Sequence, residues 1–194
     1  MDDHAFATLA ALQGRLQTLK LLPRTGWLQR GLQNVESIAE HSFGVASLAL
    51  IVGDLHPGLD RGRLLAIALV HDLAEALIGD LPASASRLIG KEAKHAAERR
   101  ALHELFDGLP QADHYLALWE EYSGGASPEA RLVKALDRLE LLAQAIQYER
   151  AGARSLDEFW HERDGWDEEF PLVRAMAEQL FDEHDRLVGA PATR

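Results

Sequence analysis

The chain has 194 residues, of which 47% are hydrophobic and 26% charged, a balance typical of one compact globular domain. Its formal net charge of −11 at pH 7 argues against a nucleic-acid polymer or an anionic membrane as partner, because both require a basic face. Cysteine is absent, which excludes disulfides and thiolate metal ligands. With no signal-peptide pattern and no apolar stretch long enough to span a bilayer, we expect a cytoplasmic protein.

Helical patterns occupy the first half of the chain. The spacing predicts a helix over 4–22 that stops before Pro23, then an irregular segment over 24–35. Ser37 is a suitable N-cap for a helix to about residue 55, and Asp60 for a helix that continues to Ile78. Residues 80–90, with one proline and two serines, are expected to form a loop.

The second half continues the helical pattern. Helices are predicted over 91–109, through Trp119 and Tyr122, and from Ser127-Pro128 to about Arg150. A capping box of Ser155 and Glu158 predicts a short helix, and a last helix is expected over 167–187, followed by a frayed tail at 189–194. No run alternates with period two, so the fold class is all-α. No linker divides the chain, which predicts a single domain over 1–194.

The most informative stretch is a helix that is apolar on nearly every side, residues 64–78, with charged groups in its middle. These are His71, Asp72 and Glu75, and Asp80 follows just beyond the end. A buried carboxylate needs a cation or a dense hydrogen-bond network. A network of buried ion pairs with basic residues of other helices is the alternative to a metal ion here.

Two further residues lie on apolar helix faces. His41 falls in a segment whose apolar positions repeat at helical spacing, although a lone histidine there also suits a satisfied core position. Asp137 has Val133 and Leu141 four residues away on either side, so its carboxylate faces the core. Two histidines and two aspartates from three helices suit a divalent Mn, Fe, Co or Zn ion, with positions left open for water and substrate.

The order His41, His71-Asp72, Asp137 resembles the signature of the HD-domain superfamily. Further motifs resemble its 5′-deoxynucleotidase branch, namely Arg24-Thr25-Gly26-Trp27, Glu40-His41-Ser42, His71-Asp72-Leu73-Ala74-Glu75, Gly79-Asp80-Leu81-Pro82 and the segment 134–140. The resemblance covers about residues 15–150, and the C-terminal helices over 151–188 add little to it.

The resemblance implies an HD-type helical bundle that holds one divalent ion through His41, His71, Asp72 and Asp137. It implies that Glu75 and Asp80 position or activate the attacking water. It also implies hydrolysis of deoxynucleoside 5′-monophosphates, activity with cobalt or manganese, and a homodimer. From the residues alone, Glu75 could instead serve to orient His71.

The resemblance further implies that Arg24 and Trp27 contact the phosphate and nucleoside of the substrate. They are adjacent in some members and separated here by Thr25 and Gly26. The segment Asp80-Leu81-Pro82-Ala83 matches a substrate-contacting stretch, with Ala83 where some members carry a hydroxyl. A surface position for Arg24 and a core position for Trp27 are the alternatives.

Three other classes compete with this interpretation. Alarmone hydrolases typically carry a second acidic residue directly after the position of Glu75, where this chain has Ala76. Cyclic-nucleotide phosphodiesterases carry extra histidines for a second metal, which are not evident here. A helical scaffold in which the metal only stabilises the fold would not need Glu75 and Asp80. We expect Lys91, Lys94, Arg99 and Arg100 to form a solvated face, with assistance in phosphate binding as the alternative. Tyr115, Trp119 and Tyr122 are expected to form a satellite cluster or a dimer surface.

Overall fold

The structure is a computed structural model, and it describes residues 3–161, 163, 165–166 and 168–189. Within these residues the elements are α1 Asp3–Leu16, a 3-10 helix Gln17–Lys20, α2 Thr25–Leu28, α3 Ile38–Gly53, α4 Arg61–Val70, α5 Glu75–Ile78, α6 Ala83–Ile89, α7 Lys91–Phe106, α8 Ala112–Gly124, α9 Pro128–Arg150, a second 3-10 helix Asp157–Trp160 and α10 Pro171–Gly189. The described part contains no strand, only an isolated bridge between Pro23 and Ser37. The all-α prediction is confirmed.

Three helices start at the caps that the sequence predicts. Ser37 accepts a hydrogen bond from the amide of Glu40, whose carboxylate in turn accepts from the Ser37 amide, which completes a capping box before α3. Asp60 and Ser127 each accept from the amide three residues further on, at the start of α4 and α9. These caps satisfy amides that the helices themselves leave without partners.

The core is built around α9, which packs against α3, α4, α8 and α10. Its buried face carries Leu132, Leu136, Leu139 and Leu142, which are at most 2% exposed. Each such leucine contributes roughly 1.5–3 kcal/mol by leaving water. None of the described helices is both long and apolar enough to cross a membrane. Because α9 touches α3 and α4, their polar side chains can meet at one point inside the bundle.

The prediction of one continuous helix from residue 61 to Ile78 is wrong, because the structure interrupts this helix between Val70 and Glu75. α4 ends at Val70, and residues 71–74 form tight turns before α5. The Ala68 carbonyl oxygen, which a continuous helix would offer to residue 72, accepts from Nδ1 of His71 at 2.7 Å. This bond between side chain and backbone explains the break. His71 and Glu75 therefore do not share the face of one regular helix.

Other element predictions also need correction. Residues 80–90 are not a loop throughout, because a short helix, α6, begins at Ala83 directly after Pro82, and Gly90 separates α6 from α7 with a φ of 89°. The predicted Ser155/Glu158 capping box is not formed, because the second 3-10 helix has Leu156 at its N-cap without a side-chain cap hydrogen bond. The Ser155 hydroxyl instead donates to the Arg30 carbonyl at 2.8 Å. The segment 24–35 contains α2, and the first helix ends at Leu16, before the 3-10 helix.

The C-terminal predictions can be compared only in part. Asp167, the predicted start of the last helix, lies outside the described residues, and α10 runs from Pro171. Of the predicted frayed tail, Gly189 is the last residue of α10, and residues 190–194 lie outside the described part. The division into a motif-bearing core at 15–150 and C-terminal helices at 151–188 stays a prediction.

Candidate active site

His41 lies at the centre of a buried polar cluster and is fully buried on α3. Its Nδ1 is 2.6 Å from Oε2 of Glu140 on α9. Its Nε2 is 3.0 Å from Oδ1 of Asp137 and 3.7 Å from Oδ2 of Asp72. The glutamate therefore holds the ring from one side, and the other nitrogen faces two carboxylates.

His71 is fixed in a similar way at the end of α4. A carbonyl oxygen can only accept, so Nδ1 must donate its proton to Ala68 across the 2.7 Å contact. In the neutral ring this leaves a lone pair on Nε2, which lies 3.2 Å from Oδ2 of Asp72. Both histidines thus direct Nε2 to the same place, with their ring centroids 5.6 Å apart.

The four predicted ligands come together, and their geometry suits a metal ion. Donor atoms of His41, His71 and Asp137 all lie within 4.8 Å of one another, and Asp72 reaches both Nε2 atoms. Atoms about 2.0–2.2 Å from a shared ion lie in this range of mutual distances. Both Nε2 atoms are buried and have no hydrogen-bond partner. Such orphaned polar atoms require an explanation, and a bound cation supplies one.

The charged groups of the cluster lie so close together that they change one another's pKa values. Burial lowers the pKa of His41, but its close contacts with the carboxylates of Asp137 and Glu140 outweigh this effect and raise the pKa to about 10. Burial alone would raise the pKa of Asp72, but His71, His41 and Arg24 hold it well below its ordinary value. Without a metal ion, protons on the imidazoles compensate the carboxylates.

Tyr122 on α8 belongs to this cluster, so its assignment to a satellite cluster or a dimer surface is wrong. Its hydroxyl donates to Oδ2 of Asp137 at 2.8 Å, and its ring packs edge-on against His71 at 5.4 Å. The ammonium group of Lys134 lies 4.8 Å from the centroid of the same ring. The hydrogen bond fixes one oxygen of Asp137 and leaves the other facing His41.

Glu75 lies beside the cluster at the start of α5 and is 8% exposed. Its Oε2 is buried without a hydrogen-bond partner. Burial, followed by repulsion from Asp72 and Asp80, raises its pKa to about 10. A carboxyl group with this pKa can carry a proton near neutral pH, which suits a group that exchanges protons with substrate or water.

One carboxylate oxygen of Asp80 is hydrogen-bonded to Thr25, the first residue of α2. Its Oδ2 accepts from the amide and the hydroxyl of Thr25, the latter at 2.9 Å. The contact ties the end of the α5 segment to the residue that follows Arg24. Asp80 therefore positions Arg24, and only its Oδ1 is left for water or a sugar hydroxyl.

Arg24 is not a free surface arginine. Its side chain is only 16% exposed, with Nη1 3.5 Å from Oδ2 of Asp72 and Nε 4.0 Å from Oε1 of Glu36. It lines two adjoining cavities of about 320 and 540 Å³, which also share Asp80 and Leu81. The smaller cavity is lined by His71, Asp72 and Asp137, so Arg24 lies at the boundary between the ligand cluster and a second, larger space.

The larger cavity has a mostly apolar wall. The residues proposed from sequence that line it are Arg24, Trp27, Asp80, Leu81, Pro82 and Ala83, and Phe159 of the C-terminal part joins them. Trp27 is 1% exposed, and its Nε1 donates to Glu36 at 2.9 Å. The sequence left two positions open for Trp27, one in contact with the substrate and one in the core. The structure places Trp27 in the core.

Sequence reasoning missed Glu140 and Glu36. Glu140 follows Asp137 by one helical turn and so shares its face, a signal that could have identified it. Close packing supports it, because a Cβ added to Gly44 would lie 2.6 Å from its Oε1. Lys94, expected to be solvated, is only partly exposed and lines the smaller cavity, where it pairs with Glu98 at 3.0 Å.

A sequence model of the HD domain matches residues 16–172, which is most of the chain. The chain belongs to the HD domain family. The 5′-deoxynucleotidase HDDC2 of Bos taurus is 34% identical to it over 176 residues, covering 89% of this chain and 84% of the relative. The 5′-deoxynucleotidase hdd1 of Schizosaccharomyces pombe (strain 972) is 34% identical over 180 residues, covering 88% and 87%.

Solved structures of other proteins share the fold. The PH0347 protein from Pyrococcus horikoshii OT3 superposes with a TM-score of 0.73 and 38% identity, covering 92% of this chain and 99% of that one. A protein from Magnetospirillum magnetotacticum MS-1, described as a predicted metal-dependent phosphohydrolase, has a TM-score of 0.72 and 28% identity, covering 95% and 97%. The family and this neighbour imply a divalent metal ion, and the donor set around His41 and His71 fits one.

Proposed function

We propose that this HD domain protein is a metal-dependent 5′-deoxynucleotidase, which hydrolyses deoxynucleoside 5′-monophosphates to the nucleoside and inorganic phosphate. The observation that carries the proposal is the pair of buried, unpartnered Nε2 atoms of His41 and His71, which face Asp72 and Asp137 beside an open cavity. The relatives named 5′-deoxynucleotidase support the substrate class.

The metal ligands in this proposal are His41, His71, Asp72 and Asp137. Two imidazoles and two carboxylates, with no thiolate, suit Mn, Fe, Co or Zn. When bound there, such an ion supplies a Lewis acid that polarises a phosphoryl oxygen and favours ionisation of water. Glu140 positions His41, and the Ala68 carbonyl positions His71, so that both rings present Nε2.

The phosphate is held between basic groups on opposite sides of the smaller cavity. Arg24 faces it from the α2 side, and Lys94 and Lys134 face it from α7 and α9. No carboxylate of the described chain lies within ion-pair distance of Lys134, which leaves its charge available for an anion. Charge-assisted hydrogen bonds from these groups would fix the three phosphate oxygens.

Glu75 is the residue that transfers the proton in this scheme. Water attacks phosphorus, the bond from phosphorus to the 5′ oxygen breaks, and the leaving oxygen takes up a proton. The raised pKa of Glu75 keeps the carboxyl group protonated near neutral pH, which suits it to deliver a proton to the leaving group. Asp80 keeps Arg24 in place through Thr25 and offers its second oxygen to water or to the sugar.

The nucleoside occupies the larger cavity, next to the phosphate. Leu81, Pro82 and Ala83 form one side of it. We include a homodimer in the proposal, supported by an apolar stripe on the outer face of α3, where Phe43 is 75% and Ile51 63% exposed. The cytoplasmic location stays a prediction.

A panel of nucleotides, assayed for released phosphate with Mn or Co, tests the function. Deoxynucleoside 5′-monophosphates are expected to be hydrolysed, and 3′-monophosphates, diphosphates and cyclic nucleotides are not. His71→Ala should abolish the release, whereas His103→Ala, a matched change at an exposed position of α7, should leave it intact. No phosphate release from any nucleotide by the metal-loaded protein would refute the proposal.

A further inference from the structure

The aromatic surface that borders the larger cavity belongs to the C-terminal part of the chain. Phe159 is half-buried and lines the cavity, whereas Trp27 is 1% exposed beneath it. The two ring centroids are 4.5 Å apart with the planes tilted by 41°. Tyr148 packs edge-on against the same indole at 5.1 Å. The faces of Trp27 are therefore engaged by protein, and Phe159 is the ring that a ligand in the cavity would meet.

Phe159 is held at the cavity by contacts on both sides of it in the sequence. Glu158 forms an ion pair with Arg30, and the Ser155 hydroxyl donates to the Arg30 carbonyl at 2.8 Å. These contacts join the segment before the ring to the chain that follows α2. The edge of the cavity is thus assembled from two parts of the chain that are distant in sequence.

A buried polar cluster anchors the other side. Trp160 donates from Nε1 to Glu149 at 2.9 Å and stacks on His184 at a centroid distance of 4.3 Å and an angle of 15°. His184 in turn contacts Glu149 at 3.0 Å. All three residues are at most 8% exposed. The cluster joins α9, the second 3-10 helix and α10, and so fixes the residue next to Phe159.

From this arrangement we infer that Phe159 stacks against the nucleobase of the substrate, so the C-terminal 3-10 helix Asp157–Trp160 forms the base subsite. The inference rests on the proposed function and adds the element that recognises the base. A flat π face next to an apolar wall accepts any nucleobase, because every base can stack. The ring is held in place before binding, which reduces the conformational entropy lost on binding.

A substrate without a base separates this role from simple packing. Phe159→Leu keeps apolar bulk over Trp27 but removes the π face. We expect it to raise KM for deoxyadenosine 5′-monophosphate by roughly tenfold, the order of one base-aromatic stack, with kcat little changed. KM for 2-deoxyribose 5-phosphate should not change. Phe159→Tyr should retain the wild-type KM, and Phe6→Leu, the same substitution at an exposed position of α1, serves as the matched control.

Equilibrium binding of deoxyadenosine, which has no phosphate to lose, provides a second readout that does not depend on turnover. Phe159→Leu should weaken it by a similar factor, and Phe6→Leu should not. If the wild-type protein releases phosphate but Phe159→Leu changes KM equally for both substrates, or for neither, the inference is wrong and the proposed function stands. If the wild-type protein hydrolyses no nucleotide, the function fails, and deoxyadenosine binding alone decides whether Phe159 is a base contact.

Discussion

Nδ1 of His41 lies 2.6 Å from Oε2 of Glu140, on the side of the ring that faces away from the proposed metal site. A carboxylate in this position fixes the tautomer and the orientation of the ring and makes Nε2 a stronger ligand. Gly44 lies one turn after His41 and leaves room for Glu140 to reach it. The pair joins α3 to α9 at the centre of the site.

Removing this carboxylate should weaken metal binding without removing a ligand. Glu140→Gln keeps the shape of the side chain but loses its charge, and we expect metal affinity to fall by roughly 10- to 100-fold. Titration of the metal-free protein with Mn measures the change. Glu104→Gln, the same substitution at an exposed position of α7, should have no effect. Equal affinity in wild type and Glu140→Gln would show that Glu140 does not support His41.

The charge of Lys134 should matter for phosphate and not for folding. Lys134→Gln is expected to raise KM for the nucleotide and to weaken inhibition by inorganic phosphate, each by roughly tenfold, the order of one charge-assisted hydrogen bond. Lys91→Gln, an exposed lysine of α7, is the control. If phosphate inhibits both variants as strongly as the wild type, Lys134 does not contact the phosphate.

Metal binding should depend on pH with a definite sign. The pKa of His41 in the metal-free protein is raised from 6.5 to about 10, so the ring carries an extra proton at neutral pH. A metal ligand must give up that proton, and binding therefore releases it. Below about pH 10, apparent affinity should rise by about tenfold per pH unit for each displaced proton. Calorimetry in buffers of different ionisation enthalpy counts the protons, and an affinity that does not vary between pH 6 and 8 would contradict this coupling.

The cluster of Glu149, Trp160 and His184 should contribute to stability. Glu149→Ala leaves the Trp160 N–H buried without its acceptor, which costs about 2 kcal/mol of unfolding free energy. Glu178→Ala removes an exposed ion pair with Arg174 on α10 and should cost well under about 1 kcal/mol. Urea unfolding followed by circular dichroism distinguishes the two. Equal losses would show that the buried cluster contributes no more than a surface pair.

The caps and the buried charges were predictable from sequence because they are local. Ser37, Asp60 and Ser127 begin helices as predicted, since a side chain three residues from an amide needs no tertiary context. The four candidate ligands could be found because a histidine or an aspartate on an apolar face needs a partner. Each of these signals is contained within a few residues.

The features that were missed depend on contacts between distant residues or on competition for one acceptor. The break at His71 follows from its bond to the Ala68 carbonyl, which helical periodicity does not encode. The burial of Trp27 depends on Phe159, far along the chain. The role of Tyr122 depends on its hydrogen bond to Asp137, which forms where α8 packs against α9. The sequence around an aromatic residue of an amphipathic helix does not indicate such a contact.

The most direct test of the account is the stoichiometry of Mn binding to the metal-free protein and its variants. Wild type should bind one ion per chain tightly, as should Glu75→Gln, because Glu75 is proposed to move protons and not to hold the ion. His71→Ala, Asp72→Asn and Asp137→Asn should each lose tight binding while they remain helical by circular dichroism. Tight binding that persists in all three variants, or its absence from the wild type, would contradict the proposed metal site.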